Sequence, residues 1–261
     1  MRFSVLSSGS KANCTVVDTG SSIIMIDCGL SCKQAELRLS QVGVNPSEIS
    51  AIIITHEHSD HIHGVPTFSK RYKIPVFANH LTSKQIPKTF HTENFINGAD
   101  FWIGSTRITP FSITHDAVDP VGFTINEKGL KFAQVTDLGR VTLLVSEHLK
   151  DSNFIVLESN HDQELLKNCE YPWELKRRIS SSYGHLSNDD AAALLKDIYH
   201  SDLQHVVLGH LSESSNTPQT ALACHLNAFN SSHTTDLPFN LQCGSIHLPL
   251  EMMGEASRKA A

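Results

Sequence analysis

The sequence predicts a layered α/β domain, and three observations predict it. Short apolar runs of strand character come in groups separated by helical patterns along the whole chain. At 261 residues with 40% apolar content, the chain can bury one large core, which fits a single domain over 1–261. The run Ala51-Ile52-Ile53-Ile54 leads directly into Thr55-His56-Glu57-His58-Ser59-Asp60-His61. A strand buried on both faces behaves this way where it reaches the sheet edge and passes into a loop that carries chemistry.

The elements follow in order. Strands fit 2–6, 14–18, 22–27, 51–55, 75–78, 106–113, 121–126, 130–135, 153–158 and 204–209. Helical patterns fit 31–41, 62–71, 81–86, 141–149, 162–168, 172–181, 187–199 and 217–228. Ile62-His63-Gly64-Val65-Pro66 reads as the start of a helix covering the sheet. Ser187 is placed to cap the helix after it, with Asp190 three positions on and Ala191, Ala192, Leu194, Leu195 and Ile198 as its apolar face. His210 follows the buried strand Val206-Val207-Leu208. The tail 252–261 is expected to fray.

The His-rich run is the chemical centre of the reading. Three imidazoles and the Asp60 carboxylate fall within six positions, and both groups are ligands that zinc and manganese accept. His56 and His58 are two apart, so in extended backbone their rings point the same way and can chelate one ion. Asp60 and His61 face differently and can serve a second. A polar surface loop that happens to be His-rich is the plainer alternative. Two coordination spheres need further ligands from downstream.

His56-x-His58-x-Asp60-His61 is similar to the signature of the metallo-β-lactamase superfamily. Ile23 to Gly29 resembles the superfamily strand that ends in Asp-x-Gly, which implies that Asp27 orients the metal loop from behind the ligands. His115 in Thr114 to Phe123, Asp137 in Thr-Asp-Leu-Gly and His210 in Gly-His-Leu-Ser resemble the later motifs, in superfamily order. Leu6 to Cys14, Leu157 to Asp162 and Tyr183 to Ser187 resemble the YycJ/WalJ group of exonucleases of this fold. The resemblance implies a four-layer αβ/βα sandwich with the metals at the edge of two packed sheets. It implies two divalent ions, Zn2+ or Mn2+, one held by His56, His58 and His115, the other by Asp60, His61 and His210, with Asp137 bridging. The activity it implies is a phosphodiesterase, a 5′-to-3′ exonuclease on DNA, in which a metal-bound hydroxide attacks phosphorus, with Asp60 and His185 as catalytic residues. A glyoxalase II- or lactonase-like ester or thioester hydrolase is the alternative.

Each of these residues also has an ordinary reading. His115 alone would be a loop histidine, and Asp137 could form only an Asx turn. His185 could cap a helix or fill the core instead of contacting a phosphate or donating a proton. His161 lines the pocket or caps the helix that follows. Lys176 and Arg177 lie beside Trp173 and Tyr171, which makes either a solvated helix face or a groove that stacks bases and holds phosphates.

A formal net charge of −6 argues against broad coating of nucleic acid but not against a local groove. Two divalent ions outweigh the charges of Asp60 and Asp137, so the site itself attracts a phosphodiester. The expected partner is a nucleic acid, DNA before RNA. No apolar run is long enough to cross a membrane. Six cysteines without a C-x-x-C pair read as reduced, mostly buried thiols of a cytoplasmic protein.

Overall fold

The computed structural model describes residues 1–229 and 237–255. Among them, two sheets of seven strands pack face to face, with helices on both outer surfaces. This is the four-layer α/β sandwich expected.

The first sheet is built from β1 (Arg2–Ser7), β2 (Cys14–Asp18), β3 (Ile23–Ile26), β4 (Ile49–Ile53), β5 (Pro75–Asn79) and β6 (His91–Phe95) in spatial sequence. The second runs through β7 (Phe101–Ile103), β8 (Thr106–Ser112), β9 (Val121–Glu127), β10 (Leu130–Val135), β11 (Phe154–Glu158), β12 (His205–Gly209) and β13 (Asn240–Cys243). Each sheet begins antiparallel and becomes parallel: β3 to β6 in the first, β10 to β13 in the second. Parallel strands need helical crossovers. These are supplied by α1 (Cys32–Gln41), α2 (Ser59–Ile62), α3 (Val65–Tyr72), α4 (His80–Ser83), α5 (Leu143–Leu149), α6 (Gln163–Asn168), α7 (Trp173–Ile179), α8 (Asn188–Ile198) and α9 (Pro218–Phe229).

Period-two alternation sorts the strand residues into separate cores. Ala51 and Ile53 of β4, Phe132 of β10 and Val156 of β11 meet between the sheets, together with Phe3, Phe123 and Phe154. Ile52 faces the helix side of the first sheet with Leu39 and Phe68. Ala133, Ile155 and Leu157 face α5, α8 and α9. Strands wetted on neither face explain why their sequences read as continuous apolar runs.

Several expectations change. The helix expected at 62–71 is interrupted near its start: the Gly64 amide donates to the Cys28 carbonyl at 2.8 Å and not to the preceding turn, so α2 ends at Ile62 and α3 begins at Val65. The frayed tail begins later than 252: Met253–Gly254 forms β14, antiparallel to Arg2 and Phe3 on the edge of the first sheet. The apolar Met253 side chain is buried between the sheets, which holds this strand in place. The remaining tail positions, 256–261, lie outside the described residues. Strands β6, β7 and β13 were not expected. No helix among the described residues is long and apolar enough to cross a membrane.

Candidate metal centre and adjoining cavity

The parallel strands of both sheets end at one rim, and the loops leaving them carry the predicted residues. Three residues just past strand ends, Asp27, Asp137 and His210, have left-handed backbone with φ of 57°, 59° and 56°. Such positions are strained for side-chain-bearing residues and cluster where function over-determines the backbone. Each turns its side chain at the moment the chain leaves the sheet.

The loop after β4 is pinned through its backbone. Asn13 N donates to the Asp60 carbonyl at 2.7 Å, and Cys28 N donates to the His61 carbonyl at 2.8 Å. Gly29 passes so near that a Cβ there would fall 1.6 Å from the Asp60 oxygen. A second loop, 114–120, closes over the first: Val118 N donates to Glu57 at 2.8 Å.

The structure brings all seven predicted ligands together. Donor atoms of His56, His58 and His115 lie within 4.8 Å of one another, as do those of Asp60, His61 and His210. Asp137 lies between the two sets. Its carboxylate is 3.2 Å from His61 Nε2, 3.5 Å from His210 Nε2 and 3.7 Å from His115 Nε2. His58 presents Nδ1, 3.4 Å from His115 Nε2.

Four of the imidazoles are tied back by Nδ1. His56 Nδ1 donates to Thr55 Oγ1 at 3.0 Å, and that hydroxyl donates to Asp27 at 2.7 Å. His61 Nδ1 donates to Asp27 at 2.8 Å, His115 Nδ1 to the Gly184 carbonyl at 3.1 Å, and His210 Nδ1 to Glu158 at 3.0 Å. A proton fixed on Nδ1 leaves Nε2 as a lone-pair donor facing inward. Asp27 lies behind the cluster, on His61 directly and on His56 through Thr55.

The electrostatics favour a cation. Burial alone would depress His210, but Asp137, Asp60 and Glu158 outweigh it and hold its pKa up at about 10. His61 is likewise raised well above its ordinary value: burial opposes this, and Asp137 and Asp27 override it. Burial would raise Asp137, yet His210 and His61 hold it well below the usual carboxylate range. His56 is lowered well below its ordinary value by burial and by the neighbouring His61, which together outweigh the opposing pull of Asp137. His56 Nε2, His210 Nε2 and Asp137 Oδ2 are buried without a hydrogen-bond partner. Orphaned inward-facing N and O donors at these separations suit divalent ions with imidazole and carboxylate ligands.

Beside the cluster is a cavity of about 350 Å3. His185 belongs to both, since it lines the cavity while its Nδ1 donates to Glu158 at 2.8 Å. His161, Lys176 and Arg177 line it too. His161 does not cap α6; that role falls to Asp162, which accepts from Leu165 N. Ser187 caps α8 by accepting from Asp190 N, as its sequence indicated.

Among the residues that contact the cluster, sequence reasoning assigned no role to Glu158 or Asn13. Glu158 is fully buried and joins His185, His210 and, through its other oxygen, the Leu138 amide beside Asp137. The available signal was a carboxylate ending the apolar run Phe154 to Leu157. Asn13 donates to Asp60 at 3.1 Å and sits 3.0 Å from His61 Nε2; nothing local distinguished it from a turn asparagine.

A sequence model of the metallo-beta-lactamase superfamily matches residues 8–147. The exodeoxyribonuclease YycJ of Bacillus anthracis is 36% identical over 227 residues, 85% of this chain and 86% of that protein. The exodeoxyribonuclease WalJ of Streptococcus pneumoniae is 33% identical over 244 residues, 90% of each. The solved structure of the metallo-beta-lactamase fold protein YhfI of Bacillus subtilis superposes with a TM-score of 0.71, at 15% identity, over 96% of this chain and 99% of that one. The chain therefore belongs to the metallo-β-lactamase superfamily, within which it groups with the YycJ/WalJ proteins, and it is a metal-dependent hydrolase.

Proposed function

We propose that this protein is a two-metal phosphodiesterase acting on nucleic acid, a 5′-to-3′ exonuclease on DNA. The observation that carries the reading is the pair of ligand sets flanking Asp137, with a cationic cavity immediately beside them. The two relatives named as exodeoxyribonucleases support it. His56, His58 and His115 would hold one ion and Asp60, His61 and His210 the other, with Asp137 shared. Zn2+ and Mn2+ both suit this donor set. When bound, the ions supply Lewis acidity, favouring deprotonation of the attacking water and stabilising charge on the phosphoryl group.

The chain's own residues do the rest. Asp60 is the more exposed of the two cluster carboxylates, its side chain 20% accessible against 3% for Asp137. It is held as a carboxylate: burial opposes this, but His210 and His61, with Nε2 atoms 3.8 Å and 3.4 Å from its Oδ2, outweigh it. It is thus the group that can accept a hydrogen bond from the attacking water. His185, oriented by Glu158, stands between cluster and cavity and gives its proton to the departing O3′. The phosphorus–O3′ bond breaks and a bond to the water oxygen forms. The water's proton finally replaces the one His185 donated, so one water is consumed per cut. His161, Lys176 and Arg177 contact the substrate strand from the cavity wall.

The test is metal-depleted protein refilled with Zn2+ or Mn2+ and offered end-labelled DNA, end-labelled RNA and a thioester. Stepwise loss of nucleotides from the 5′ end of DNA is expected. Faster hydrolysis of the thioester than of DNA would overturn the reading in favour of the ester hydrolase.

A further inference from the structure

We propose that the cavity beside the cluster holds the 5′-terminal nucleotide of the strand. Its terminal phosphate rests on Lys167 and Arg177 and its base lies against Trp173. This rests on the nuclease reading above and adds to it a reason for cutting one nucleotide from a free end.

The size fits, since small-molecule sites run from about 300 to 1,000 Å3 and this cavity is about 350 Å3. Its charge fits as well. Lys167, Lys176 and Arg177 face one carboxylate, Asp190. Adjacent arginines on α7 have different fates: Arg178 Nε donates to Asp116 at 2.6 Å, whereas the Arg177 guanidinium has no hydrogen-bond or ion-pair partner among the described residues. Lys176 Nζ donates to the neutral Lys167 carbonyl at 2.8 Å, which ties α6 to α7 and leaves the ammonium charge unneutralised. Lys167 itself has only Glu164, at 3.9 Å, where both side chains are more than 70% exposed. A pair that loose and wet is worth little.

The wall also carries an unmet polar group. His161 is 3% exposed and its Nδ1 is buried without a partner. Buried ring nitrogens are rarely left so unless a ligand or water completes them. Leu166 supplies an apolar surface beside it, and Trp173, 72% exposed, stands at the lip as a stacking platform.

Position then gives the direction. His185 separates cavity from cluster, so a phosphodiester lying over Asp137 with its leaving oxygen at His185 places the leaving fragment in the cavity. When that oxygen is O3′, the fragment is the nucleotide at the 5′ end.

Strands with a 5′-phosphate and with a 5′-hydroxyl, otherwise identical, would be compared using wild type and Arg177→Ala. Wild type should favour the phosphate end by about tenfold or more in kcat/KM, the scale of one charge-assisted contact, and the ratio should fall towards one in the variant. The ratio cancels any general loss of activity. Thymidine 5′-monophosphate should compete with substrate in wild type and about tenfold less well in Arg177→Ala. Arg177 is exposed, so the thermal melt should be unchanged. Equal rates on the two ends in wild type, or an unchanged ratio in the variant, would overturn the cavity assignment and leave the nuclease reading standing. Metal-loaded protein that cleaves neither strand yet hydrolyses a thioester would overturn both.

Discussion

Asp27 and Glu158 are counterparts across the two sheets. Each is a fully buried carboxylate at the C-terminal end of a parallel strand, β3 and β11. Each accepts the Nδ1 proton of a cluster histidine, His61 for Asp27 and His210 for Glu158. Each also accepts a backbone amide at a strand exit, Thr55 for Asp27 and Leu138 for Glu158. Two such anchors set the ring angles from opposite sides, so donor positions are fixed before any cation arrives.

Removing either anchor should therefore weaken ion binding without unfolding the chain. Asp27→Asn and Glu158→Gln keep the volume and part of the hydrogen bonding but lose the charge. A loss of about 10- to 100-fold in metal affinity is expected for each, the usual scale for such supporting carboxylates. Competition with a chromophoric chelator measures it. Affinity equal to wild type in both would show that the imidazoles need no orienting partner here.

Metal content follows from the two donor sets. After reconstitution with excess Mn2+ or Zn2+, elemental analysis should give two ions per chain. Asp137→Ala should lose at least one ion and nearly all turnover, because Asp137 lies within reach of His61, His115 and His210 together. Near-normal turnover would remove Asp137 from the reaction.

His185→Ala should keep both ions, since His185 stands outside the two ligand sets flanking Asp137. Phosphodiester cleavage should fall by roughly 10²-fold or more, the scale of general acid catalysis. On a nitrophenyl phosphodiester, whose leaving group needs no proton, the loss should shrink. Equal losses on both substrates would make His185 a phosphate-binding residue and not an acid.

A pH effect is expected far from the cluster. His225 in α9 is fully buried, its Nδ1 donates to the Ala221 carbonyl at 2.9 Å, and its Nε2 has no partner. Burial lowers its pKa from the ordinary 6.5. The unfolded chain then takes up a proton at a pH where the folded chain refuses it. Stability from this group is full above pH 6.5 and is lost as pH falls below it, at up to about 1.4 kcal/mol per pH unit. In His225→Gln the drop in Tm between about pH 7.5 and 5.5, at saturating metal, should be smaller than in wild type by a few degrees. Parallel curves would show that His225 is protonated in the fold.

Much of this was legible because the informative residues sit where strands become loops. The apolar run before His56 located both the strand and the point where polar residues emerge, and Val206 to Leu208 did the same for His210. What escaped was set by neighbours and not by local pattern. His91–Phe95 is exposed at four of five positions, and Asn240–Cys243 has no fully buried residue. Both are edge strands, held by one partner's backbone, so their side chains carry little periodic signal. Glu158 looked like the polar end of a strand, because its two histidines come from 27 and 52 positions downstream. The cavity was hinted at by Trp173 and the basic run, but which arginine is spare depends on Asp116, over 60 positions away.

The division of donors between the sheets has a dynamic consequence. His56, His58, Asp60 and His61 leave the first sheet, whereas His115, Asp137 and His210 leave the second. Occupancy of the cluster therefore fastens the seam between the sheets, where Phe3, Phe123 and Phe132 pack, and not either sheet alone. Amide hydrogen exchange should read this directly. Protection of β1, β9 and β10 should rise and fall with metal, while the outer helices α1 and α9 keep their own, slower or faster, exchange regardless of what the rim holds.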